Sequence, residues 1–483
     1  MRNGRPGFRP QVERFVFAAI CLATLLFAII TPPFQSPDED QHYMKALQLA
    51  EGRVLPERRG AETGAMLPRA ALDLRDVDFP PEEPGVPIRY ERAAFDRAWH
   101  ADAGRAGERF GYFPNLANYS PTLYVPQALG LLAGEAIGLP RLGGFYLGRL
   151  FNLAAALALL WLALRLLPFG RAALLAVAAL PVACYQAGSL SADVTINGLG
   201  FVGLALALRW GHGLAARPPA SAILVAAPLL ALAKGVYLPL MAAGLRWPQS
   251  RRDRSPWLLL AAMALGVAIF LLWMKISGGG SQTLYSIVSR KTGEATTTAP
   301  LGDQLAVILA DPLGYARIVT SSMTERAPVY LLQIIGRFGW NTILMPLIAY
   351  PLALLMLGAA LLRGAGARFI WEQRLWWLAV AASCVLLVET ALYLTGTPLA
   401  ADYVQGVQGR YFLPVLPLAL LALMPERGFR HTDTLFAACA CLLLAIGLLT
   451  ALDSFWIHGF TSIDGMPPHG SPFRTLLLPS PRW

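Results

Sequence analysis

Charge is scarce in this chain. Of 483 residues only 14% are Asp, Glu, Lys or Arg, 55% are hydrophobic, and the mean hydropathy is +0.49. Soluble domains carry about 25% charged residues, so the deficit excludes an ordinary soluble domain and leaves a polytopic membrane protein. The net charge of +10 is then no argument for nucleic acid, because basic residues collect on cytoplasmic loops. Cysteine is sparse too. Cys21, Cys184, Cys384, Cys439 and Cys441 all lie in apolar runs, without metal-like spacing or paired loop positions; they read as small core residues. There is no His-Glu-x-x-His, no Walker loop, no Gly-x-Ser-x-Gly and no zinc spacing. Neither an internal repeat nor a low-complexity tract beyond Gly278-Gly279-Gly280 occurs. No cofactor is expected, and a divalent metal has no support.

Also missing is a small-residue cleavage site after the first apolar run, Phe15 to Thr31. Pro32-Pro33-Phe34-Gln35 follows it, and Arg2, Arg5, Arg9 and Arg14 precede it. This reads as an uncleaved anchor with a cytoplasmic N-terminus. Further apolar runs of span length follow: Leu142–Leu167, Ala172–Leu190, Thr195–Arg209, a short pair Ala220–Ala233 and Val236–Leu245 broken at Lys234-Gly235, Pro256–Lys275, Trp340–Leu362, Leu375–Leu394, Tyr411–Met424 and Leu435–Leu452. The expected fold is an all-α polytopic membrane domain with about eleven spans. It has a long first extracytoplasmic loop at 35–118, a second at 276–337 and an external tail at 453–483. The first loop holds 15 of the 30 acidic residues and 11 basic ones. On this parity the short internal loops carry Arg165 and Arg171; Arg209 and Arg217; Arg246, Arg251, Arg252 and Arg254; Arg363, Arg368 and Arg374; and Arg427 and Arg430. All are net basic, as the positive-inside rule asks.

The first loop opens with start signals rather than filler. Ser36-Pro37-Asp38-Glu39 matches a capping box, with Ser36 as cap and Glu39 reaching back, and Gly52 would close the helix. Ser120-Pro121 repeats the signal before an apolar run to Ile137, read as a helix lying at the outer interface.

Three carboxylates and a histidine follow the first span directly: Asp38, Glu39, Asp40 and His42. An acidic first turn complements the helix dipole, and Glu39 alone can be a cap. But Asp38 and His42 are four apart and share a face, and a carboxylate at the mouth of a membrane cavity is a natural proton acceptor or cation site. Asp40 is expected to be solvated. Asp193, Lys234, Arg410 and Arg149 all fall toward the same outer leaflet. Lys234 and Arg410 also fit snorkelling to headgroups, and Arg149 also fits a pair with a buried acid. Together they favour a site, since intramembrane charge is costly.

A first span leading into an external Asp-Glu pair resembles the GT-C glycosyltransferase superfamily, as do the Tyr119-Ser120-Pro121-Thr122-Leu123-Tyr124 and Gly148-Arg149-Leu150-Phe151-Asn152 stretches. Pro37-Asp38-Glu39 with His42, Ser191-Ala192-Asp193 and Gln408-Gly409-Arg410-Tyr411-Phe412-Leu413-Pro414 resemble, more narrowly, the bacterial membrane family of unknown function number 2142, over roughly Phe15 to Met424. The resemblance implies an inverting transferase at the outer face of the bacterial cytoplasmic membrane. It would take a sugar from a polyprenyl-phosphate carrier to an envelope glycan, lipid or protein acceptor. Asp38, with Glu39, would be catalytic; His42, Tyr124, Arg149, Asp193, Lys234, Arg410 and Tyr411 would bind substrate. The Trp-Trp-Asp motif of the oligosaccharyltransferase branch is absent, because Trp376-Trp377 is followed by Leu378. A lipid or polysaccharide transporter would share the composition but should place polar residues along a continuous path, and a non-catalytic envelope-assembly protein would not need Asp38 at all.

Overall fold

The computed structural model describes residues 10–60, 62–80, 92–100, 107–212, 218–246, 255–278, 286–288, 295–429 and 432–457. Arg2, Arg5, Arg9, Arg217, Arg251, Arg252, Arg254, Arg430, Gly279, Gly280 and most of the 453–483 tail lie outside the described residues.

Seven helical runs are long and apolar enough to cross a membrane: Pro10–Ile30, Arg141–Leu166, Asp193–His212, Ala220–Gly244, Pro256–Ile276, Trp371–Gly396 and Thr432–Ile457. That is fewer than the expected eleven, and the reason is punctuation. The third expected span breaks into Arg171–Ala178 and Pro181–Ala187, because Pro181 lacks the amide hydrogen that would join it to the preceding turn. The eighth is only Ala349–Leu362; Trp340 lies instead between the strands of a short hairpin, Arg337–Phe338 against Ile343–Leu344. The tenth shrinks to a 3-10 turn, Gly409–Phe412, and a short helix, Leu416–Leu423, interrupted by Pro414.

The fifth and sixth runs merge by length, yet the backbone reverses between them. Lys234 is extended at φ −164° and ψ 102°, between the helix Ala220–Lys234 and the 3-10 run Gly235–Gly244. Leu230 and Met241 both reach the same glycine, Gly203, while Gly244 lies against Gly211 at the far end of that helix. The pair is therefore a hairpin with Lys234 at its tip. A Cβ on Gly211 would sit 1.9 Å from the Gly244 carbonyl oxygen, so the returning arm can approach only a bare backbone.

The described architecture is mostly helical rather than all-α. Within 35–118 lies a three-stranded antiparallel sheet, β1 (Glu57–Arg59), β2 (Glu62–Pro68) and β3 (Glu108–Tyr112), in the order β1-β2-β3. The 276–337 stretch is largely helix, Leu301–Ala310 and Pro312–Gly336. The Val125–Ala136 helix does not lie alone on a surface. It packs antiparallel along Arg141–Leu166, with Gly130 against the backbone at Leu147 and Gly148, and Gly134 against Gly144.

Chain direction sorts the charges to two ends. The Pro10–Ile30 helix runs from Glu13, paired with Arg171, to Thr31, where Arg149 meets it. The Asp193–His212 helix, about 30 Å long at 1.5 Å per residue, runs from Asp193 to Arg209, which donates to the Arg165 carbonyl. Arg374 caps the carbonyls of Ala422 and Met424, and Arg363 pairs with Asp433 at 2.8 Å. Asp38, Asp193, Lys234 and Arg410 gather at the opposite end.

Candidate functional site: a charge cluster at one end of the bundle

The segment after the first helix is tied down before it reaches the site. Tyr185 donates to the Gln35 carbonyl at 2.6 Å, and the Trp340 indole donates to the Phe34 carbonyl at 3.1 Å. The next helix is Glu39–Ala50, not a continuation from Ser36. Asp38 is its cap residue, in left-handed backbone at φ 61°, and no side chain caps it. Ser36 offers its carbonyl to the Glu39 amide instead, at 3.1 Å. Asp tolerates this backbone better than most residues, and the turn swings its carboxylate away from the helix end. At the other end the expected closure is present, with Gly52 at φ 73° and its amide on the Leu49 carbonyl. Ser120 likewise caps as expected, accepting from Thr122 at 3.4 Å.

Asp38 meets Arg410. Its Oδ2 accepts from Arg410 Nη2 at 2.6 Å, and Arg410 Nη1 reaches Asp193 Oδ2 at 3.3 Å and the Pro37 carbonyl at 3.3 Å. The Arg410 side chain is 5% exposed, Asp193 12% and Asp38 28%, so Asp38 is the carboxylate most open to solvent. Its second oxygen, Oδ1, has no hydrogen bond among the described residues. Arg410 Nε is buried without an acceptor among the described residues. Lys234 has no carboxylate in ion-pair reach among the described residues; its Nζ sits 4.0 Å from the centre of the Tyr411 ring. Tyr237 donates to the Tyr411 carbonyl at 2.7 Å and holds that ring's backbone.

His42 forms the floor. Ala192 N–H donates to its Nδ1 at 3.3 Å, Tyr124 OH lies 2.9 Å from the same nitrogen, and Ser191 Oγ lies 3.0 Å from Nε2. An amide can only donate, so Nδ1 accepts, and the ring hydrogen on Nε2 goes to Ser191. Burial pushes this imidazole down to about 4, against the pull of Asp193 and Asp38 in the other direction. It is a neutral ring that orders the Ser191–Asp193 turn.

Glu39 and Arg149 are committed elsewhere. Both are fully buried, and Glu39 Oε1 and Oε2 accept from Arg149 Nε and Nη2 at 2.8 and 2.6 Å. Glu39 Oε1 also accepts from the Leu190 amide at 2.9 Å. Arg149 Nη1 and Nη2 take the carbonyls of Ala28, Thr31 and Pro32, which the first helix leaves open at its end. Glu39 therefore neither caps the helix nor joins the Asp38–Arg410 cluster. Asp40 is not solvated; it is 3% exposed and accepts from Arg75 at 3.1 Å. Burial holds its carboxyl above the usual range, with Arg75 opposing.

The fold thus brings together Asp38, His42, Tyr124, Asp193, Lys234, Arg410 and Tyr411, and sets Glu39 and Arg149 beneath them as a separate pair. Ser191 and Tyr119 lay within the quoted motifs without a role assigned to them, and Lys45 escaped the reading of the sequence. The Tyr119 hydroxyl feels Tyr411, Asp193 and Asp38 together. Lys45 donates to the Ala117 carbonyl at 2.7 Å, and burial pushes its ammonium down to about 7. Among the described residues no group of three or more His, Cys, Asp or Glu is placed to hold a metal ion.

No curated protein and no solved structure matches the chain. A family model described as a predicted membrane protein, DUF2142, matches residues 21–419. That stretch takes in most of the chain and every member of the cluster from Asp38 to Tyr411, so the chain belongs to the DUF2142 family of predicted membrane proteins.

Proposed function

We propose that the protein is a membrane transferase that moves a sugar from a polyprenyl-phosphate carrier to an envelope acceptor, with its site at the extracytoplasmic face. The observation that carries this reading is the meeting of Asp38, Asp193, Lys234 and Arg410, four segments far apart in sequence, at the bundle end away from the arginine-rich one. Basic residues favour the cytoplasmic side, which turns the cluster outward. Nothing in packing alone asks for four charges there, since each costs free energy to desolvate.

The roles divide by what each group is already doing. Lys234, with no carboxylate in ion-pair reach among the described residues, is the phosphate partner, with Arg410 Nε as the second donor. Arg410 is otherwise a positioning residue that holds Asp38 and Asp193 apart at fixed distance. Asp38 Oδ1 takes the proton from the acceptor hydroxyl as that oxygen attacks the sugar carbon and the carrier phosphate leaves with the bonding pair. The departing phosphate gains a second negative charge with that pair and needs the Lys234 cation most at that moment. Glu39 and Arg149 hold the floor and take no part in proton transfer.

General-base assistance is worth about 10²–10⁴-fold. Asp38→Asn, which keeps shape and loses basicity, is expected to cut transfer of radiolabelled sugar from carrier to acceptor by at least ~100-fold in membranes of a deletion strain. Carrier binding should be nearly unchanged, whereas Lys234→Ala should weaken it. Wild-type transfer by Asp38→Asn would sink the mechanism and leave the cluster as a structural lock.

A further inference from the structure

The Glu39–Ala50 helix has a second working face. His42 points to the charge cluster, but Tyr43, Leu47 and Glu51, spaced four apart on one stripe, line a separate cavity of about 140 Å³. Leu131 and Glu135 close it from the Val125–Ala136 helix, and Arg141 from the start of Arg141–Leu166. A single water needs only about 10–15 Å³ on this measure, so the space suits a small polar head.

Its polar groups are unspent. Tyr43 is 1% exposed, and its hydroxyl has no hydrogen-bond partner among the described residues. The ring is wedged between Phe34 and Phe145, with centroids 5.5 and 5.4 Å away, so the hydroxyl cannot swing off to find one. Burial raises its pKa, which keeps it a neutral donor. Arg141 Nε is buried without an acceptor. No ion pair or side-chain hydrogen bond reaches Arg141, Glu51 or Glu135 among the described residues. Yet the three are close enough to act on one another. The Glu51 carboxyl is lifted by burial and then by Glu135, and lowered by Arg141. One cation and two anions thus face a shared gap without closing it, with both carboxylates on the exposed rim and the tyrosine hydroxyl at the floor.

A buried hydroxyl and a half-buried arginine whose Nε is itself buried call for an anion; two glutamates beside them call for a cation. A ligand carrying both, a short step apart, satisfies all four. The helix beside the cavity shows an apolar outer face, with Leu129 52% and Ile137 69% exposed, which suits hydrocarbon. We propose that this cavity binds the head of a zwitterionic phospholipid, with its phosphodiester on Arg141 and Tyr43 and its ammonium between Glu51 and Glu135. The site is distinct from the charge cluster and does not depend on the transferase reading.

The test is native mass spectrometry of the full chain in detergent, titrated with palmitoyl-oleoyl phosphatidylethanolamine or with the phosphatidylglycerol of the same chains. The first is expected to be retained at least ~10-fold more tightly, since only it offers an ammonium. Arg141→Gln and Glu135→Gln should each lower its retention by about 10-fold, and Glu135→Gln should also erase the preference over phosphatidylglycerol. If Arg141→Gln fails to fold, Glu135→Gln, at an exposed position, decides alone. Equal retention of the two lipids, or retention unchanged in the folded variants, overturns the proposal. Free O-phosphoethanolamine should bind at least ~10-fold more weakly; equal binding overturns the lipid as the source of the head.

Discussion

At the scale of residues, two neighbours in sequence part company. Asp38 turns out toward Arg410 with one oxygen unused, and Glu39 turns in to Arg149 with both oxygens used. Removing one partner of a buried pair leaves the other charge stranded, a loss of about 3–5 kcal/mol. Arg149→Ala is therefore expected to lower the melting temperature sharply, or abolish folding, while Asp38→Asn changes it little. A thermal melt in detergent separates the two, and equal melting of wild type and Arg149→Ala would remove the structural role. Proton linkage gives a second expectation. The folded His42 titrates at about 4 and its ordinary value is 6.5, so the unfolded chain binds the proton more readily. The His42 contribution is full above about pH 6.5 and falls as pH drops toward 4, by roughly 3 kcal/mol if the whole window is crossed. His42→Gln should flatten that slope. Lys45, held near 7 against an ordinary 10.5, adds a further rise in stability between those values, because there too the unfolded state holds the extra proton.

At the scale of elements, the hairpin at Lys234 is the piece on which the site depends. Its arms can close only because Gly211 and Gly244 bring two backbones together. Gly211→Val would drive a side chain into the Gly244 carbonyl and spread the arms, at a cost typical of overpacking, about 1–3 kcal/mol. The expected outcome is a lower melting temperature together with weaker carrier binding, since Lys234 rides on the tip. Unchanged carrier binding in a destabilised Gly211→Val would detach the tip from the site. Proline decides the other broken elements. Pro181 and Pro414 cut apolar runs that hydropathy alone reads as continuous, and the cut ends expose the backbone carbonyls and amides that the site uses. The Ser189–Asp193 turn after the second short helix is where His42 and Asn152 find their backbone partners.

For the whole molecule, the arrangement predicts a sided protein. Reporter fusions within 35–118 and within 247–254 should label opposite faces of the membrane, the first outside and the second inside. The arginine-rich end and the charge cluster are separated by about the length of the Asp193–His212 helix, 20 residues, close to a bilayer core. The same face for both reporters would overturn the orientation and with it the outward transferase.

What the sequence determined by itself was class and ingredients. Scarce charge and repeated apolar runs require a membrane domain whatever the packing, because a bilayer accepts little else. Start and stop signals at Ser120 and Gly52 were legible for the same reason: they act through bonds within a few residues. Asp193, Lys234 and Arg410 stood out because charge at membrane depth is costly, and Asp38 and His42 because they share a helix face directly after the first span. Only tertiary structure decided which of them meet. The sequence assigns both Arg149 and Arg410 to the outer site, yet one is spent on Glu39 and three carbonyls, the other on Asp38 and Asp193. That choice rests on partners 110 and 372 residues away, and no local spacing encodes it. Nor could the chain show that Asp38 would take left-handed backbone in place of Ser36 as the cap. That conformation is held by Tyr185, Trp340 and Arg410, which reach the turn from three distant segments.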